Sequence, residues 1–182
     1  AGRGSLAGPV VSAAAVVNEN ILPLGLQGMI DDSKKINRKK REELFNALIP
    51  FVAGSIGVGE VFEIDRFNIL EATMLSMRRA VKNLNKKIDL ALIDGNSNPN
   101  IPGVKANCIV RGDEYCMSIS VASILAKVTR DQIMVSLSKK FPGYGWELNA
   151  GYGTRQHKEA INELGITSAH RKSFEPIRKM LR

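Results

Sequence analysis

Two aspartates stand where a carboxylate needs a partner. Asp94 closes the apolar run "IDLALIDG", and Asp113 closes "VKANCIVRGD", each beside a glycine. An ionised side chain at the end of an apolar strand costs free energy unless something binds it, and strand ends are where ligands of open α/β sheets gather. If the two strands are sheet neighbours, the acids lie side by side, and close carboxylates repel unless a cation sits between them. The chain has two Cys and two His and no zinc-like set, so the ion implied is a hard, oxygen-seeking one, Mg²⁺ or Mn²⁺. Acidic metal sites in a basic protein suit phosphodiester hydrolysis, with a metal-activated water and a stabilised leaving oxygen. The alternative reading is an Asp-Gly turn at Asp94 and two surface loop acids.

The chain opens "AGRGSLAGPVV". Gly2 and Gly4 would let backbone N–H groups approach a sugar-phosphate chain, with Arg3 adding a charged contact. Lys34 and Lys35, in "DDSKK", are candidate phosphate contacts or a solvated face. Tyr152 lies between glycines in "NAGYGTRQH"; its ring either stacks on a sugar or base or packs its own loop. His157 and His170 have no identifiable Ser or Cys partner, so a hydrolase triad has no support. Asp131, in "VTRD", reads as a structural mid-helix acid.

Twenty-six Lys and Arg against 18 Asp and Glu give a net charge of +8 over 182 residues. That excess favours a polyanionic partner, nucleic acid before an acidic membrane surface, or simply keeps the protein soluble. Cys108 and Cys116 are too few for a disulfide framework and read as free thiols of a reducing compartment. "LAGPVVSAAAVV" resembles a short signal-peptide core but lacks a convincing cleavage pattern after it. No apolar run approaches the ~20 residues of a membrane span. The expectation is a cytoplasmic protein of one domain.

Several elements must position these groups. Pro9–Val17 reads as a buried strand, and "NENILPLGLQGMIDDS" as a loop. Arg38–Ile49 reads as an amphipathic helix with Leu44, Phe45, Leu48 and Ile49 on one face, closed by Pro50. "SIGVGEVFEI" alternates as a strand. A helix starting at Asn68, with Glu71 as capping partner, buries Leu70, Met74, Met77, Val81 and Leu84. "IDLALIDG" and "VKANCIV" are strands, Ser118–Lys140 is a long helix, and "TRQHKEAINELG" is a helix between Thr154 and Gly165. This order predicts an α/β layer fold with a mixed sheet.

The blocks "AGRGSLAGPVV", "DDSKK", "ALIDGN", "VRGDEYCMSISVASILAKVTRD", "FPGYGWELNAGYGTRQHKEAINELG" and "HRKSF" together resemble the bacterial ribonuclease HII family, nearly end to end. The resemblance implies a ribonuclease H-like fold, with a mixed five-stranded sheet and flanking helices in one catalytic domain. The part from about 142 to 182 would contribute to substrate binding. It implies an endonuclease that cuts the RNA strand of RNA–DNA hybrids and cuts at ribonucleotides embedded in duplex DNA. The ends left would be 5′-phosphate and 3′-hydroxyl, with Mn²⁺ or Mg²⁺ as cofactor. By resemblance, Asp94 and Asp113 are catalytic metal ligands, Gly2, Arg3 and Gly4 read the ribose 2′-hydroxyl, and Tyr152 stacks on the following deoxyribose. A monomer acting in DNA repair, with no membrane partner, is expected.

The family pattern is "DEAGRG", and the sequence given begins at its first Ala. Two of the four family carboxylates, and the first strand, are therefore absent from it. The lack of an initiator Met favours a natural protein that continues upstream. The alternative is a hybrid-binding module with half a metal site.

Overall fold

The computed structural model describes residues 1–31 and 36–181. Strand β1 (Val10–Val17) pairs antiparallel with β2 (Val52–Gly59), in register from Val10 opposite Gly59 to Val17 opposite Val52. Strand β3 (Leu90–Asp94) pairs in parallel with β4 (Lys105–Ile109), so that Asp94 stands opposite Ile109 at the shared C-terminal end. The mixed strand directions match expectation, but the sheet is not continuous. The two pairs form separate two-stranded sheets. A cavity of about 740 Å³ separates them, lined by β1 and β3 and by no residue of β2 or β4. Val11 to Val17 and Leu90 to Asp94 all face it, which is why β3 is mostly exposed or half-buried rather than core.

Eight α-helices surround the strands: α1 (Leu24–Asp31), α2 (Arg38–Leu48), α3 (Val61–Phe67), α4 (Ile69–Asn83), α5 (Met117–Lys140), α6 (Trp146–Asn149), α7 (Arg155–Leu164) and α8 (Ile177–Met180) among the described residues. Helix α5 is the spine. Its Val121, Ile124, Leu125 and Val128 pack with Leu22, Ile30, Leu44 and Leu48 in one core. Its Met134 joins Leu6, Trp146, Ile161 and Ile177 in a second. Each large aliphatic side chain so buried contributes about 1.5–3 kcal/mol.

Four expectations are corrected. The segment taken as a loop contains α1: despite Gly25 and Gly28, Ile30 is fully buried against α2 and α5, and tertiary packing overrides weak helix propensity. "EVFEI" is helical rather than strand. Glu60 and Glu63 form a reciprocal capping box that starts α3, and Ile64 reaches the core. Ile49 to Phe51 form a 3₁₀ turn after α2, with Ile49 exposed. Helix α4 starts as expected, with Asn68 Oδ1 accepting from the amides of Leu70 and Glu71 at 2.8 and 3.1 Å. Its buried face, however, is Ala72, Thr73, Met74, Ser76 and Ala80, and Leu70 is exposed. The reason is close approach to β2: a Cβ on Gly57 would lie 2.0 Å from the Ser76 carbonyl oxygen. Only small residues fit there.

Candidate functional site

The parallel pairing of β3 and β4 brings the two predicted acids to one end of one sheet. Asp94 ends β3. Asp113 lies not on β4, as the sequence suggests, but in a 3₁₀ turn of Gly112–Glu114 just beyond it. The turn is tied to β3 directly, because the Gly112 amide donates to Asp94 Oδ1 at 3.0 Å. The Gly95 amide in turn donates to the Ile109 carbonyl at 2.9 Å. Asp94 is exposed and Asp113 half-buried. Two carboxylates suit Mg²⁺ or Mn²⁺, which commonly take one or two acids and complete their shell with water and phosphate oxygens. Among the described residues no group of three or more His, Cys, Asp or Glu converges, here or elsewhere.

The Gly2–Arg3–Gly4 segment forms a turn beside this end of the fold. Gly2 is buried at φ +85°, and an added Cβ would fall 1.8 Å from Arg130 Nε. The glycine is therefore required by an arginine of α5, a reason the sequence does not display. Gly4 is different: it is exposed, and a Cβ there would meet nothing within 4 Å. Arg3 is exposed. Ser5 Oγ donates to the Gly2 carbonyl at 3.0 Å.

Behind the turn lie Arg130 and Arg171, at 1% and 0% exposure. Arg130 donates to the carbonyls of Pro9, Ala150 and Ala7 and to Ser5 Oγ, at 2.6 to 3.1 Å. Arg171 donates to the carbonyls of Gly8, Arg3 and Gly2 at 2.9, 3.0 and 2.7 Å. Burial pulls the Arg171 guanidinium down to about 9, with Arg130 adding to the effect, so it stays protonated at neutral pH. Sequence reasoning missed both arginines. His170 and Arg171, in the basic C-terminal stretch, are wholly buried.

Tyr152 is 40% exposed, and Arg130 lies over its ring at 5.7 Å. Part of the ring packs against the arginine and the rest is open to solvent. Its loop is pinned by the Gly151 carbonyl, which accepts from the Leu6 amide at 2.8 Å. Lys127 was also missed. Its Nζ pairs with Asp131 Oδ1 at 2.7 Å, which gives Asp131 the structural part expected of it. Gly2, Asp94, Lys127 and Tyr152 all line the cavity between the sheets. Lys34 and Lys35 lie outside the described residues.

A family model, ribonuclease HII, matches residues 1–177. The ribonuclease HII of Granulibacter bethesdensis is 49% identical over 182 residues, covering 99% of this chain and 83% of the relative. That of Coxiella burnetii is 48% identical over 181 residues, covering 99% and 87%. Among solved structures, ribonuclease H2 from Pyrococcus horikoshii superposes with a TM-score of 0.79 at 26% identity, covering 99% of this chain and 93% of that one. A ribonuclease HII from Archaeoglobus fulgidus, solved in complex with PCNA, gives 0.78 at 23% identity, covering 100% and 92%.

Proposed function

The chain belongs to the ribonuclease HII family, enzymes that cleave RNA in RNA–DNA hybrids, and on that premise we propose that it cuts the RNA strand of hybrids and also cuts at ribonucleotides embedded in duplex DNA. The observation that carries this reading is the parallel pairing of β3 with β4, which brings Asp94 and the turn holding Asp113 to one end of one sheet and ties them through the Gly112 amide.

Asp94 and Asp113 hold the divalent ion, Mg²⁺ or Mn²⁺. When bound, such an ion lowers the pKa of a water for attack on phosphorus and stabilises the leaving oxygen, which leaves 5′-phosphate and 3′-hydroxyl ends. The Gly112 amide holds one Asp94 oxygen and ties β3 to the turn that carries Asp113. Gly2, Arg3 and Gly4 read the ribose 2′-hydroxyl, the group that distinguishes RNA from DNA. Tyr152 stacks on the neighbouring deoxyribose, and Lys127 faces the phosphates. Lys34 and Lys35 add phosphate contacts from outside the described residues. The part from about 142 to 182 contributes Tyr152 and the helices that hold it. No described helix is long and apolar enough to cross a membrane. In this reading the protein works as a cytoplasmic monomer that removes ribonucleotides from DNA.

The test is cleavage of a uniform RNA–DNA hybrid in Mg²⁺ or Mn²⁺, beside RNA–RNA and DNA–DNA duplexes of the same sequence. Cutting confined to the hybrid's RNA strand is expected; equal cutting of RNA–RNA would sink the proposal. A second reading is a hybrid-binding module without turnover. Tight hybrid binding with no product in either metal would select it.

A further inference from the structure

Two fully buried guanidiniums stand behind the glycine turn, and among the described residues neither hydrogen-bonds a carboxylate. Among the described residues every acceptor of Arg130 and Arg171 is a backbone carbonyl or the Ser5 hydroxyl. Burying a charge without an ion-pair partner is unfavourable for the fold, so stability alone does not account for the pair. Geometry does. Arg171 grips the carbonyls of both Gly2 and Arg3, and Arg130 grips Ser5, which itself bonds the Gly2 carbonyl. A turn held by its oxygens has its N–H groups left for something else. Among the described residues the amides of Gly2, Arg3 and Gly4 donate no hydrogen bond, while Arg3 and Gly4 are exposed. Arg130 also packs against Gly2 and lies over the Tyr152 ring. One side chain thus touches both parts of the proposed recognition surface.

We infer that Arg130 and Arg171 are positioning residues for ribose selection: as a two-arginine clamp they hold the 2–4 turn by its carbonyl edge and present its amide edge to the 2′-hydroxyl. The inference rests on the reading of that turn given above. The planar fork is essential. A guanidinium offers five donors in fixed directions, whereas an ammonium carries the same charge as a point. Arg→Lys therefore keeps the electrostatic field and removes the clamp.

The test measures affinity for a DNA duplex with one embedded ribonucleotide and for the same duplex with deoxyribose throughout. Fluorescence anisotropy without divalent metal keeps both intact. The quantity read is the ratio of the two Kd values. Arg171→Lys should shrink the ribose preference about tenfold, the worth of one or two well-placed hydrogen bonds, with affinity for the all-DNA duplex within about twofold. Ser5→Ala removes one bond to the turn and one Arg130 acceptor without adding bulk, and should shrink the preference about threefold. It decides the matter where Arg171→Lys fails to fold. A lowered melting temperature with the preference intact would make the arginines structural only. Equal weakening on both duplexes would make them a charge field only. Either result overturns the clamp and leaves the proposed function standing. A wild-type ratio of one would overturn the ribose reading itself, and the clamp with it.

Discussion

His157 and His170 meet through their Nε2 atoms at 3.3 Å, both at 0% exposure. Their neighbours fix the protons. His157 Nδ1 lies 2.9 Å from the Tyr152 carbonyl, which only accepts, so Nδ1 carries hydrogen. His157 Nε2 then accepts from the Trp146 indole N–H at 2.9 Å. His170 Nδ1 accepts from the Thr167 amide at 2.9 Å, so its own hydrogen is on Nε2, aimed at His157. Both rings are neutral, the Trp146 indole and the His170 Nε2–H share the one lone pair of His157 Nε2, and Tyr144 and Trp146 wall them in. The pair thereby ties Thr167 to the loop that carries Tyr152.

Burial lowers both imidazoles, and His157 presses His170 further, to about 4. A histidine depressed in the folded state binds its proton more readily when unfolded. Its stabilisation is therefore complete above the unfolded value of about 6.5 and is lost as pH falls from there to about 4. For His170 the loss is on the order of 3 kcal/mol. Melting curves of the wild type and of His170→Gln should converge as pH drops through this window. A difference that stays constant from pH 7.5 to 4.5 would show that the pair does not resist protonation.

Gly4→Ala separates fold from ligand. Nothing in the protein lies within 4 Å of the added Cβ, so the melting temperature should stay within the ~0.5 kcal/mol equivalent of a surface change. Affinity for a ribonucleotide-containing duplex should nonetheless fall, because the methyl stands where the ligand approaches. Unchanged affinity would remove residue 4 from the interface. Gly2→Ala cannot make this distinction, since it collides with Arg130.

Asp94→Asn should lower cleavage roughly a hundredfold or more, the loss expected when a metal ligand is neutralised. The fold should persist, because an amide oxygen can still accept from the Gly112 N–H. A variant that melts like the wild type and cuts at the same rate would reduce Asp94 to a turn residue.

Tyr152→Ala should weaken junction binding by ~1–3 kcal/mol if the ring stacks. With 40% of the residue exposed, the stability loss should be well below the ~3–5 kcal/mol of a buried aromatic deletion. A large drop in melting temperature with unaltered binding would assign the ring to packing.

How legible was this site in the sequence? Asp94 was readable because a charge interrupts an apolar run, and Tyr152 because glycines flank it. Strand β1 and helices α2, α4, α5 and α7 followed from periodicity and caps. Arg130, Arg171 and the histidine pair were not readable. Buried arginines whose acceptors lie 20 to 169 residues away leave no local pattern. The same holds for α1, whose helical state depends on where Ile30 docks, and for Gly2, whose constraint comes from α5. Asp113 was found for the right type but the wrong element, because the strand ends four residues earlier, at Ile109.

The central claim is that one surface both recognises a ribose and cuts beside it. The most direct measurement is incubation with a DNA duplex holding a single ribonucleotide, in Mg²⁺ or Mn²⁺, with the product ends identified. The account predicts one cut, at the ribonucleotide, leaving 5′-phosphate and 3′-hydroxyl, and an intact all-DNA control. Binding without any cut, or cuts spread over the all-DNA control, would contradict it.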